Sequence, residues 1–156
     1  MKKKLKFVVL LLAGFMMTGT MSACSDDDGN DIETVISENK LPESAKTFIS
    51  TYYSSATVRS VKRELDNGVV LYEVDFTNGH EITFNSKGEW VEVDAPDGQS
   101  IPDGILPEVI QSYLDTNYQG YGVNDVTKTG AGYEVELVSG IDLLFDAQGD
   151  FIRIDR

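Results

Sequence analysis

Cysteine and histidine each occur only once in these 156 residues, and each scarcity removes a class of chemistry. A single thiol, Cys24, cannot close an intramolecular disulfide, so stability must come from core burial. The lone histidine, His80, stands at the start of a strand beside Glu81. No Ser-His-Asp or Cys-His arrangement is recognisable around it, and the same count excludes His/Cys metal clusters. The 14 glycines stand singly in turns, and none leads a helix with the spacing of a phosphate-binding loop. Basic residues number 13 against 26 acids, a net charge of −13. A paired-acid hydrolase needs only carboxylates, but these acids fall mostly at alternate strand positions and in turns, where a solvated sheet face needs polar groups anyway. The composition points to a protein that is not an enzyme and calls for neither cofactor nor metal.

The one long apolar run, Phe7 to Met17, has eleven residues, whereas a membrane-spanning helix needs roughly 20. It follows a basic start, Lys2-Lys3-Lys4-Leu5-Lys6, and leads to Met21-Ser22-Ala23-Cys24, small residues directly before a cysteine. That is the pattern of a lipoprotein signal peptide over residues 1–23, with Cys24 as the lipid-bearing first residue of the mature chain. Acylation would leave no thiolate for chemistry, and at about 0.8 kcal/mol per buried methylene several acyl chains hold a protein to a membrane.

Cleavage there removes four lysines and no acid, leaving 26 acidic against 9 basic side chains and a net charge of −17. Such a balance repels nucleic acid and anionic lipid, favours cationic partners, and keeps a surface protein soluble and monomeric. Residues 24–34, with Ser25-Asp26-Asp27-Asp28-Gly29-Asn30-Asp31 at their heart, read as a flexible acidic tether. The run resembles the serine-plus-acidic stretch that follows the lipidated cysteine in surface-exposed lipoproteins of Bacteroidetes-type bacteria. The resemblance implies a lipid anchor in the outer membrane with the protein at the cell surface. A periplasm-facing lipoprotein is the alternative.

Leu41-Pro42-Glu43 recurs as Leu106-Pro107-Glu108, 65 residues on, and Tyr53/Tyr118, Val58/Val123 and Val61/Val126 keep that offset. At an offset of 61, Tyr72-Glu73-Val74 then matches Tyr133-Glu134-Val135, Phe84 matches Phe145, and Gly88-Glu89-Trp90 matches Gly149-Asp150-Phe151. Residues 35–94 and 101–156 read as two copies of one unit joined by a connector at 95–100. Leu41, Ala45, Phe48, Ile49 and Tyr52 share one helical face, as do Leu106, Ile110, Tyr113 and Leu114. After each helix the apolar period falls to 2, with reversals at Asn67-Gly68, Asn78-Gly79 and Asn85-Ser86-Lys87-Gly88. The expected fold is α+β: tandem helix-plus-four-strand units, about eight antiparallel strands, and both helices on one face.

If Tyr72, Val74, Phe76, Ile82, Phe84, Val91 and Val93 meet the helices, alternation sends Leu71, Glu73, Asp75, Glu81, Trp90 and Glu92 to the bare side. Glu134, Glu136, Asp142, Leu144, Phe151 and Arg153 follow from the second unit. The candidate binding residues are therefore Trp90, Phe151, Leu71, Glu73, Glu92, Leu144 and Arg153, two aromatic anchors ringed by charge.

The doubled Leu-Pro helix, the Asn-Gly turn, the Gly-Glu-Trp hairpin and the closing Val-Asp resemble the PepSY-like, beta-lactamase-inhibitor-like proteins of Bacteroidetes over about 35–156. The resemblance implies a duplicated fold whose concave antiparallel sheet binds protein. The function expected is a membrane-anchored, non-enzymatic protein-binding or inhibitor-like module with an unidentified, cationic protein target. A glycan or small-ligand receptor, with Trp90 and tyrosines stacking on sugar rings, is the alternative.

Overall fold

The computed structural model describes residues 32–66 and 68–155, without the side chains of residues 32 and 66. The leader, Cys24, most of the expected tether and Asn67 lie outside the described residues. In chain order come β1 (Ile32–Ile36), a single 3-10 turn (Glu38–Lys40), α1 (Glu43–Tyr52), β2 (Val58–Asp66), β3 (Val69–Phe76), β4 (Glu81–Asn85) and β5 (Trp90–Asp94). Then follow α2 (Glu108–Asn117), β6 (Val123–Thr129), β7 (Gly132–Leu137), β8 (Asp142–Asp146) and β9 (Phe151–Asp155). All nine strands form one open sheet in sequence order, each antiparallel to its neighbours.

A single row of directly opposed residues crosses the whole sheet: Ile36, Val61, Val74, Ile82, Val93, Val126, Val135, Leu143 and Ile154. Its seven inner members are buried in the same cluster as Ala45 and Ile49 of α1 and Ile110 and Leu114 of α2. Both helices therefore cover the same face, because opposed residues of an antiparallel pair point the same way. Phe84 meets Phe48 of α1 edge-on at 5.7 Å, and Phe145 meets Tyr113 of α2 in the same manner at 5.5 Å.

Each helix begins at a proline whose carbonyl accepts the first helical bond, Pro42 from Lys46 and Pro107 from Gln111. The start of α1 rests on the turn between β4 and β5. A Cβ on Gly88, at φ +77°, would lie 2.7 Å from Cβ of Pro42 and 2.8 Å from the Ala45 nitrogen, and the Ser44 hydroxyl donates to the Lys87 carbonyl. Glycine there serves both the turn and the close approach.

The structure departs from the expected eight strands at β1. Residues 32–34, assigned to the tether, pair with Leu65, Glu64 and Arg63 of β2. Apolar alternation is weak in Ile-Glu-Thr-Val-Ile, and Val35 is 70% exposed, so this edge strand is held by its backbone ladder and by Ile36, which packs against the core.

The two halves merge where β5 meets β6 through Glu92/Thr127, Val93/Val126 and Asp94/Asp125. The connector is anchored beside that seam by Asn124, which is buried and shares its amide hydrogens among the carbonyls of Ala95, Pro96 and Gln99 at 2.9–3.1 Å. Asn124→Ala is expected to lower stability by about 2–3 kcal/mol, since buried carbonyls lose their donor. Urea unfolding should show a lower midpoint with an unchanged slope.

Candidate functional site: the acidic face of the sheet

Positions flanking the core row point away from the helices, and on one side of it they form a second continuous row. Ser60, Asp75, Glu81, Asp94, Asp125, Glu136, Asp142 and Asp155 are directly opposed in turn across β2 to β9. Seven successive strands thus each place a carboxylate in one line. Neighbouring strands stand about 4.8 Å apart, and like charges directly opposite destabilise a sheet. The row on the other side of the core row reads Lys62, Glu73, Thr83, Glu92, Thr127, Glu134, Leu144 and Arg153.

The electrostatics of this face change along the sheet, with ion pairs at β2–β3 and within β9 and a different situation between them. At β2–β3, cations answer the acids: Lys62 Nζ lies 2.6 Å from Glu73 and 3.9 Å from Asp75, and Arg59 lies 3.0 Å from Asp75. Burial opposes the Asp75 charge, yet the 2.6 Å Ser60 hydrogen bond with Lys62 and Arg59 holds its carboxyl below the usual range. The hydrogen bond to Glu73 raises Lys62 despite some burial.

Around β6 and β7 the influences are mainly acidic. Burial, then Glu92, Asp94 and Glu136, push Asp125 up to about 8, with only the Thr127 hydroxyl opposing. Burial, then Asp142, Asp155 and Glu136, raise Glu134. In this part of the face the surroundings oppose the charge of Asp125 most strongly.

Of the candidate binding residues, Leu71, Glu73, Glu92, Leu144 and Arg153 lie on the bare face as expected from alternation. Trp90 and Phe151 do not. Bulges between Thr83/Phe84 and between Leu144/Phe145 insert one residue into β5 and β9, so Trp90 sits opposite Phe84 and Phe151 opposite Phe145, on the helix side. Both pack against the core; Phe151 stacks on Tyr113 at 4.7 Å, and Lys128 caps the Trp90 ring at 3.5 Å.

Asp94, Asp125 and Asp155 were missed as members of the face. Alternation from Glu92 and Arg153 would have placed Asp94 and Asp155, and the Val58/Val123 and Val61/Val126 matches marked the strand that carries Asp125. His80, expected at the start of a strand, lies just before one, β4. It is buried and lies 3.4 Å from the Tyr53 hydroxyl, with its pKa lowered by desolvation.

Glu73, Asp75 and Glu81 each bring a carboxylate oxygen within 4.8 Å of the others, close enough to share a metal ion. Lys62 already lies between the first two, so a cation entering there must displace its ammonium.

Solved structures extend these observations. A crystal structure described as a putative periplasmic protein of unknown function from Bacteroides vulgatus is 34% identical, covering 81% of this chain and 99% of its own, with a TM-score of 0.74. One described as a putative calcium-regulated periplasmic protein from Bacteroides thetaiotaomicron is 36% identical over 80% of this chain and 97% of its own, at a TM-score of 0.75. A third, described as a putative periplasmic protein of the DUF2874 family from Bacteroides vulgatus, is 35% identical over 82% of this chain and all of its own, at a TM-score of 0.77. The family model described as "Putative beta-lactamase-inhibitor-like, PepSY-like" matches residues 25–71 and 70–153. No curated protein matches.

Asp125 supplies a test of the electrostatics. In the fold it keeps its proton up to about 8, against about 3.9 in an unfolded chain. The native state therefore binds a proton that the unfolded state releases, and this group's effect is to lower stability as pH rises from about 4 through about 8. Asp125→Asn should be more stable than the parent by about 1 kcal/mol or more at about pH 8, with the gap closing near pH 4. Chemical denaturation across that range measures it; a gap independent of pH would show that Asp125 is not the titrating group.

Proposed function

Since the chain belongs to the PepSY-like, beta-lactamase-inhibitor-like family, we propose that it is a lipid-anchored protein of the cell envelope and a non-enzymatic binding module, working through the bare acidic face of its sheet. The observation that carries this reading is the seven-carboxylate row, which a fold would not retain for stability. A cationic protein surface laid along it would relieve repulsion and displace the protons held around Asp125. With Trp90 and Phe151 packed on the helix side, the contact is electrostatic rather than anchored by aromatics. The glycan reading weakens for the same reason, because Lys128 takes one face of the Trp90 ring.

Anchoring rests on the leader and Cys24, and the periplasmic relatives support an envelope location. We also infer that the chain arose by duplication of a helix-plus-four-strand unit. Supporting this, bulges recur at Val58/Ser60 and Val123/Asp125, and again at Thr83/Phe84 and Leu144/Phe145. Equivalent turns are closed by Asn85 and Asp146, each accepting two backbone N–H bonds.

A second reading draws on the Glu73, Asp75 and Glu81 oxygens and on the relative described as calcium-regulated: calcium would bind the same face and govern its availability. Calcium takes 6–8 oxygen ligands, so waters would complete the site once Lys62 moves aside.

Two measurements test these readings. Cys24→Ser should abolish incorporation of labelled palmitate and release the chain from membranes; retained label would end the anchoring proposal. The triple change Asp94→Asn, Asp125→Asn, Glu136→Gln should reduce capture of a cross-linked envelope partner at least tenfold, with circular dichroism unchanged. Capture that persists in that variant would remove the acidic face as the site. Calcium titration followed by thermal shift, repeated with Glu81→Gln, separates the second reading from the first.

A further inference from the structure

β9 is bonded to β8 on one side and ends the sheet. An edge strand presents an unpaired row of N–H and C=O groups that can template another strand, and sheets usually blunt it. This edge is bulged at Ile152, and beyond the bulge it carries Ile154, 49% exposed. Ile154 lies opposite the fully buried Leu143, so the hydrophobic row that crosses the whole sheet runs out into solvent here. On the bare side the same strand shows one cation and one anion, Arg153 and Asp155, paired with each other at 2.5 Å within the strand.

That pattern is self-complementary. When an antiparallel strand is read against a copy of itself about Ile154, residues equidistant from the centre face each other. Ile154 then meets the partner's Ile154, Arg153 meets the partner's Asp155, and Asp155 meets the partner's Arg153. Centring on Arg153 instead would oppose two guanidinium groups. The opposite edge, β1, has no basic residue in Ile-Glu-Thr-Val-Ile and offers no such reciprocal pair.

We propose that two copies of this chain associate through β9, antiparallel and centred on Ile154, joining two nine-stranded sheets about a two-fold axis. Such a contact is isologous and closes on itself, as a dimer requires. It continues the core row from one Ile154 to the other and leaves both acidic faces on the same side. Each carboxylate row, ending at Asp155, gains the partner's Arg153 as a neighbour. The net charge works against association, which makes the local complementarity of β9 decisive.

Sedimentation of the full chain in detergent tests this. The parent should show a reversible monomer–dimer equilibrium. Arg153→Glu, which places two acids opposite each other at both symmetric contacts, should weaken it about tenfold or more. The double change Arg153→Glu, Asp155→Arg restores the reciprocal pairs and should restore the dimer, an outcome that misfolding could not produce. Val35→Lys on the far edge should leave association unchanged. A parent that is monomeric throughout the micromolar to low millimolar range, a double variant that stays monomeric, or a dimer lost through Val35→Lys would each overturn the proposal.

Discussion

The structure depends on burial of one side of a continuous antiparallel sheet. From Val61 to Leu143, seven directly opposed side chains lie under two helices, and each is almost completely removed from water. Because strand side chains alternate, burying that row dictates where its neighbours point. Every residue one step along the chain from a core position must face the other way. What occupies those places is chemistry left over from folding, and in this chain it is overwhelmingly acid.

A row of carboxylates at strand spacing is an electrostatic load that the fold handles differently along its length. At β2–β3, Arg59, Lys62 and Ser60 neutralise and hydrogen-bond Asp75. At β6, burial and the neighbouring Glu92, Asp94 and Glu136 push Asp125 up to about 8. The face is therefore graded, compensated by cations at β2–β3 and within β9, with the charge of Asp125 opposed by burial and neighbouring acids between them. The same gradation makes the Glu73, Asp75 and Glu81 oxygens a contested place for a metal, with Lys62 already there.

Much of this could be read in the sequence where a residue's role depends on near neighbours. The 3.6-residue spacing of Leu41, Ala45, Ile49 and of Ile110, Leu114 marked both helices, and Val74, Ile82, Phe84 and Val93 marked the buried side of the sheet. The acids at Glu73, Asp75, Glu81, Glu92, Glu134, Glu136 and Asp142 followed from the same alternation. Alternation failed at Trp90 and Phe151, because a single extra residue in a strand reverses the facing of what lies beyond it, and no local pattern announced the bulges. β1 escaped notice because its apolar alternation is weak, and its partner, β2, lies beyond a helix.

The sequence by itself determined the leader pattern, the acidic balance, the helices and the inward parity of the strands, since these are properties of spacing and composition along a few residues. Only the tertiary structure decided that the carboxylates of seven strands fall into one line, that β5 and β6 fuse the halves into a single sheet, and that Trp90 and Phe151 turn toward the helices. Register between strands sets all three. It depends on the number of residues each strand inserts between its neighbours, a quantity resolved only when the ladders close.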